Sequence, residues 1–540
     1  MLKPITIQKE TPLPPNASTS PHGLSQLEQT HFDIAVVGAG INGASAAQHL
    51  CAAGYKVLVV DQGDFANGAT SRSSRLLHCG LRHLASGSNI WRTLLRPRHL
   101  AMSMKTVRDD MLARDEIVRT IPIRVKPINF CLPIYSDDQY TPWQLDAAFA
   151  ALRMTSPTGE PLKYRRCRPG QTDQVPISPW LRDPEKLRSI AVFQEYLFDW
   201  PERIALDALF DARRMGACVR NYTRVVEIRQ AQKDARWHIT LQSTEQGALH
   251  TPESATVTAD FVLNLAGAWV DDVTARTGSN TAPRCAGMKG IHIAVQLPEE
   301  FADWGVFTYN SIGEPLYCLP FRGIHYVGLT RTPFQGDAAS VSATDQEIEW
   351  MVSETNRCLP KLSLEPSDVL FTWAGVNPLT RDPLDPMGSR EIKIHDLAVD
   401  GLPNMLALTG GPIMTHRRVA RKITREIQKR LVPSGDRRDL QYCSAQTIFD
   451  YDAACDGNQM PKDYSSEIAR CARNEMPANL ADLLMRRLGL GWEPDQGLGQ
   501  ARKIAETAAP HLGWTNSRIE DELIAYQAQL DRFRRKQGAD

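Results

Sequence analysis

The sequence predicts an α/β protein in which a parallel α/β unit is interleaved with an α+β block and followed by an all-α C-terminal domain. Three observations carry that expectation. An apolar run at 32–37 breaks into Gly38-Ala39-Gly40-Ile41-Asn42-Gly43 and then into helix formers. Short β-like runs return at 225–228, 261–265, 291–295, 317–319 and 325–329. Residues 465–533 carry Leu, Ala and Arg at a helical period. The expected division is a flexible tail at 1–31, an interleaved core at 32–432, a Pro/Gly/Ser/Asp linker at 433–464 and a helical domain at 465–540.

Composition narrows the function classes. With 42% hydrophobic and 23% charged residues among 540, the chain is an ordinary globular protein with a large core. Lys plus Arg and Asp plus Glu each number 62, so no global field would hold a polyphosphate backbone, and nucleic acid is not expected as a partner. An anionic ligand must instead be met by a local cluster of cations. Eleven cysteines without a C-x-x-C pair suggest neither a metal site nor a redox dithiol and fit a reducing, cytoplasmic compartment. Residues 1–31 are Pro/Ser/Thr-rich without the apolar stretch of a secretory signal. No run approaches the roughly 18 apolar residues that a membrane span requires, which leaves surface attachment open.

The first unit is read element by element. Residues 32–37 (FDIAVV) form a strand, 44–53 a helix, and 56–60 a second strand ending in Asp61, which lies 18 residues beyond Gly43. This is the Rossmann-like fingerprint. Gly38 makes the tight turn, Gly40 lets the backbone approach a pyrophosphate, and Gly43 permits close packing of helix on strand. The helix N-terminus offers free N–H groups and a positive dipole end to phosphates. Asp61 is placed to accept from a ribose 2′-OH and to repel a 2′-phosphate, which disfavours NADP.

Residues 68–84 (GATSRSSRLLHCGLRHL) are dense in hydroxyls and cations. They resemble the S-S-x-x-x-H-G-G-x-R-Y-L segment of FAD-dependent glycerol-3-phosphate dehydrogenases and the related α-glycerophosphate oxidases. Ser73, Ser74, His78, Gly80, Arg82 and Leu84 are in register; Cys79 and His83 depart from it. The resemblance continues in order through 261–271 (FVLNLAGAWVD), 288–295 (MKGIHIAV), 328–337 (GLTRTPFQGD), 373–379 (WAGVNPL) and 408–417 (LTGGPIMTHR). Glu475, Leu480, Asp482, Leu484, Arg486 and Arg487 are similar to the C-terminal domain of that family.

The resemblance implies a Rossmann-like FAD-binding domain interleaved with a substrate domain. FAD would be held by Gly38, Gly40, Gly43, Asp61, Ser73, Ser74, Val226, Ala266, Gly267, Gly410 and Gly411. A helix at 415–429 after the Gly410-Gly411 turn would stabilise negative charge on the reduced flavin. The strands at 291–295, 317–319 and 325–329 would form a second sheet over the flavin, with substrate between the sheets. The implied reaction is oxidation of a secondary alcohol, as of sn-glycerol 3-phosphate to dihydroxyacetone phosphate, with hydride transfer to flavin N5.

His292 and His78 are the candidate bases, since histidine titrates near neutral pH. Arg82 is the leading substrate and catalytic cation, with Lys289, Arg331 and Arg390 beside it, Arg417 as a weaker candidate, and His83 and Asn377 as further substrate contacts. Several positions depart from the family pattern: Asn377 and Pro412 replace an arginine and a lysine, Ile291 a serine, His83 a tyrosine, and Arg331 an aspartate. A different anionic hydroxy compound, a phosphonate, an amine, or a diverged flavin-binding protein therefore stay open as alternatives. Quinone or oxygen is the implied electron acceptor. A basic, apolar segment at 91–108 is a candidate for peripheral membrane contact or for the substrate entrance, and a homodimer is left open.

Overall fold

The computed structural model describes residues 23–81, 97–138, 140–155, 162–230, 236–244, 253–383, 385–440, 442 and 465–532. β1 (His31–Val37), α1 (Ile41–Ala52) and β2 (Val57–Val60) form the expected strand, helix and strand. β1 lies between β2 and the Ser254–Asn264 strand, parallel to both. Met405–Thr409 and Cys218–Arg220 extend the parallel sheet outward, and Lys393–Asp396 closes one edge antiparallel. β1 is apolar without alternation because both its faces are covered. Ile34 and Val36 pack with α1 and with the helices Pro201–Arg214 and His416–Gln428. Ala35 and Val37 pack beneath an antiparallel extension made of Thr223–Gln230 and Trp237–Ser243.

The second sheet is largely antiparallel and is centred on Cys285–Val295, which pairs with Phe371–Asp382 and Ile324–Gly328. The strand Val125–Tyr135, bonded antiparallel to Leu187–Phe198, joins it through Trp304–Tyr309. Ile291, Ile293 and Val295 face the Asp345–Cys358 helix, whereas Ala294, Tyr326 and Trp373 face the C-terminal helices. Strands of one sheet alternate along the chain with strands of the other, so the two units are interleaved as expected.

The C-terminal domain is helical: Ser465–Asn474, Leu498–Leu512 and Asn516–Asp531, with a wide turn at Asp482–Arg487. Buried ion pairs fasten it to the core. Arg203 forks onto Glu475 at 2.7 and 2.8 Å, Asp64 accepts from both Arg486 and Arg487, and the Tyr222 hydroxyl donates to Asp482 at 2.9 Å. Burial works against ionisation of Asp64, but Arg487 and Arg486 outweigh it and hold the carboxyl below the usual range.

Two expected boundaries move. Residues 23–31 belong to the folded body, with Leu24 buried and β1 beginning at His31. The expected linker begins as packed chain, because Ser434 Oγ donates to Asp33 at 2.6 Å and Gly435 N–H to the Gly54 carbonyl at 2.9 Å. Of the segment at 91–108, residues 91–96 lie outside the described residues. The helix Pro97–Thr120 follows, with Val107 and Met111 in the core and Lys105 and Arg108 exposed. No described helix is long and apolar enough to cross a membrane.

Replacing Asp64 by Asn would leave two buried guanidinium groups without their shared carboxylate, at a cost of about 3–5 kcal/mol. Thermal melts of the holoprotein should show a lower transition, with the C-terminal helices cleaved first in limited proteolysis.

Candidate active site

A cavity of about 830 Å³ lies between the two sheets, at the carboxyl ends of the parallel strands. Its first half is a dinucleotide cradle built by local backbone constraints. Gly38 has φ +103°, and a Cβ on Gly43 would stand 1.8 Å from the Gly38 carbonyl oxygen, so α1 reaches this closeness to β1 only with glycine there. Gly40 caps α1, and the first helical amide, that of Ile41, donates to Thr70 Oγ1 at 3.0 Å. Asp61, at the end of β2, accepts from the Ala39 and Gly63 amides at 2.7 and 3.0 Å. Burial pushes its carboxyl up to about 6, with the two amide bonds pulling the other way. Ala266 and Gly267 close the far side; Gly267 has φ +61° and nothing within 4 Å of where a Cβ would stand.

The other half holds the polar groups. Ser73, Ser74 and His78 line it from the segment after β2, and Lys289, Asn377 and Arg390 from the second sheet and its edge. Arg331, Gly410, Gly411 and Pro412 complete this end. Gly410 and Gly411 both have positive φ, and a Cβ on Gly410 would meet the Glu391 carbonyl oxygen at 2.0 Å. Lys289 Nζ is held by Glu347 at 2.6 Å. The Arg331 guanidinium donates to the Met387 and Gly388 carbonyls at 3.2 and 3.3 Å, with Glu314 4.0 Å away. His78 Nδ1 lies 3.7 Å from Asp110 Oδ2.

Three expected site residues are displaced. His292 is 1% exposed and outside the cavity lining, stacked on Trp373 at 4.9 Å and edge-on to Tyr326. Burial, with Arg75 adding to it, drops its imidazole to about 3, which makes it a poor base as well as an inaccessible one. Val226 gives way to Val225, because the ladder to Trp237–Ser243 slips between Val225 and Glu227. Arg417 is buried against Thr120 and over the Tyr442 ring at 3.7 Å, away from the cavity. Arg82 and His83 lie outside the described residues.

The sequence reading passed over Arg72, which lines the cavity, lies against Gly375 and donates to the Ala338 carbonyl at 3.4 Å. Its signal was present in the cation-dense run that contains Ser73 and Ser74.

Residues 33–425 match the family model described as FAD dependent oxidoreductase. The chain belongs to that family. Residues 445–519 of this oxidoreductase match the C-terminal domain of alpha-glycerophosphate oxidase. Among its relatives, a glycerol-3-phosphate dehydrogenase of Synechocystis sp. is 25% identical, with 94% of this chain and 97% of that one covered. A D-erythritol 1-phosphate dehydrogenase of Brucella abortus is 28% identical over 72% of each. The FAD-complexed glycerol-3-phosphate dehydrogenase of Bacillus halodurans shares the fold, with a TM-score of 0.69 at 19% identity, covering 94% of this chain and 96% of that one.

The residues present fit the family's cofactor. A glycine-lined turn at a helix N-terminus suits a pyrophosphate, and Asp61 suits a ribose diol. Gly43→Ala should abolish retention of FAD on purification, since its Cβ cannot be accommodated beside Gly38. Asp61 takes up a proton as pH falls through about 6 and then loses acceptor strength toward the ribose. Titration of the apoprotein with FAD should therefore give affinity that weakens by up to about tenfold for each pH unit below that midpoint, the limit for one linked proton.

Proposed function

We propose that this oxidoreductase oxidises the secondary hydroxyl of sn-glycerol 3-phosphate to give dihydroxyacetone phosphate. The observation that carries this reading is a single cavity that joins the dinucleotide cradle to a histidine and a set of cations. The near full-length relative from Synechocystis, named for the same activity, supports it. FAD, when bound, supplies the N5 acceptor for the C2 hydride.

The chain's own residues do the rest. Gly38 to Asp61 hold the dinucleotide, and the Gly410–Ile413 turn borders the ring end. His78 takes the hydroxyl proton as the hydride leaves, so the two electrons and both hydrogens are accounted for and a ketone remains. Arg72, Arg331 and Arg390 meet the phosphate, with Lys289 held in place by Glu347. Arg82 and His83 complete the proposed substrate contacts from the sequence. Asn377 and Pro412 stand at the cavity wall where the family pattern has a cation each, so the anchor for the anion has shifted to the arginines beside them.

A second reading is favoured by those two positions: a longer phosphorylated polyol, of the class named for the Brucella relative, with the same chemistry. Electrons would leave to quinone or oxygen. Peripheral attachment to the cytoplasmic membrane and a homodimer complete the proposal, and co-sedimentation with anionic vesicles and sedimentation velocity test them.

Anaerobic mixing of the holoprotein with sn-glycerol 3-phosphate should bleach the flavin within minutes; D-erythritol 1-phosphate is the parallel arm, and bleaching by that arm alone would transfer the assignment to it. His78→Gln should slow bleaching at saturating substrate by about 10²–10⁴-fold, the usual worth of a general base. Arg331→Met should raise the substrate concentration required by about tenfold or more while changing the limiting rate less, the signature of lost ground-state binding. Restoring Asn377→Arg with Pro412→Lys should lower that concentration for the three-carbon substrate. Reoxidation with dissolved oxygen against a soluble quinone separates the two acceptors.

A further inference from the structure

His78 stands where the main cavity meets a smaller aromatic one lined by Leu76, Phe130, Phe193, Phe307 and Tyr317. The chain around it is pinned from behind. The Cys79 amide donates to Glu195 Oε1 at 2.8 Å, and Gly80, at φ +83°, turns the chain against the Pro97–Thr120 helix. A Cβ at Gly80 would lie 3.5 Å from Val107 Cα and 3.6 Å from Asp110 Oδ2, so the turn and the helix are in contact. This contact sets the imidazole Nδ1 3.7 Å from the Asp110 carboxylate, with the two side chains 13% and 5% exposed. The ring also lines the main cavity, so it borders both the carboxylate and the space a ligand would fill.

The surrounding charges decide what Asp110 does. On the same helix, Arg114 lies 3.6 Å from Glu195 Oε2 and 3.3 Å from Asp115 Oδ1. Tyr317 faces the ring region across the small cavity. Across the main cavity stand Arg72, Arg331, Arg390 and the Lys289–Glu347 pair. Against those positive charges, the carboxylate beside Nδ1 is a local countercharge.

We infer that Asp110 is a positioning residue: its carboxylate, at ion-pair distance from Nδ1, orients the His78 ring and stabilises the imidazolium formed when that ring takes the substrate hydroxyl proton. The inference rests on the reading of His78 as the base. Glu195 and Gly80 act one step further out, by fixing the turn that presents the ring to Asp110.

The test uses the FAD-loaded full chain with labelled histidine rings, followed by NMR across pH, with His78→Gln identifying the signal. Asp110→Asn should lower the His78 midpoint by about one pH unit or more, the usual effect of losing an adjacent carboxylate. An unmoved midpoint overturns the inference whatever the substrate proves to be. In anaerobic bleaching with sn-glycerol 3-phosphate, Asp110→Asn should cut the limiting rate at least about tenfold. The acid limb of its pH profile should move down with the NMR midpoint, and Asp110→Glu should recover part of both. A slower rate with both the limb and the midpoint unmoved would make Asp110 a brace between helix and turn, and the inference would fall. If the Asn variant loses FAD, Asp110→Glu decides: a carboxylate displaced by one methylene moves the midpoint under the inference and leaves it in place under a brace. Absence of bleaching in the unsubstituted protein removes the proposed substrate, while the NMR midpoint still decides the pairing.

Discussion

The cradle for the dinucleotide depends on a side chain that is absent. A Cβ on Gly43 would lie 1.8 Å from the Gly38 carbonyl oxygen, far inside any contact that a packed interior can relieve by small shifts. With glycine there, α1 settles onto β1 and its first turn opens toward the Gly38–Gly40 loop. The strand order then does the rest. β2 on one side of β1 delivers Asp61 to the rim, and Ser254–Asn264 on the other delivers Ala266 and Gly267. One backbone approach thus aligns three walls of the cavity, and the second sheet needs only to close over them.

Buried charge fastens the C-terminal domain beside these walls. Asp64, three residues beyond Asp61, takes both Arg486 and Arg487, and Arg486 reaches Asn67 on the cavity wall at 3.4 Å. Burying such groups costs several kcal/mol per ion unless each is paired and hydrogen-bonded, so the network is favourable only when all its members arrive together. The C-terminal domain consequently acts on the cofactor segment through its docking. Arg487 also donates to the Glu475 carbonyl at 2.8 Å, and the Glu475 carboxylate takes Arg203, so the network runs on to the core helix Pro201–Arg214.

The strand, glycine turn, helix and following strand were legible because each rests on local period and on glycine conformations that few other residues adopt. The interleaving was legible too, since apolar runs recurred where a contiguous domain would have ended. What escaped depends on side-chain direction and distant partners. His292 shares a sheet face with Gly290, yet two residues along a strand is about 6.8 Å, enough to carry it from the cavity floor into the Trp373 and Tyr326 layer. Val226 was lost to a ladder slip that no sequence pattern announces. Arg72 and Arg75 looked alike in one run of cations; Glu202 neutralises Arg75 in the core, and only the fold tells the two apart. Asp110 carries no motif at all, and its pairing with His78 exists because Gly80 brings a turn against a helix.

Under the proposed function, these partners also explain how a chain of zero net charge would attract an anion. Ion pairs in the core consume arginines without adding potential to the cavity: Arg75 with Glu202, Arg203 with Glu475, Arg487 with Asp64. Lys289 is likewise balanced by Glu347. Arg72 differs, because it donates to a main-chain carbonyl, which satisfies a hydrogen bond but leaves the formal charge in place; Arg331 donates to two carbonyls, with Glu314 only at the 4.0 Å limit of an ion pair. Charges on the wall of a cavity between two sheets are screened less than charges on an open surface. Asn377 and Pro412 therefore need not make the site neutral. Under the proposed function they move its positive end off the Phe371–Asp382 strand and the Gly410 turn and onto the neighbouring arginines, so the departure from the family pattern would alter where an anion is held more than whether it is held.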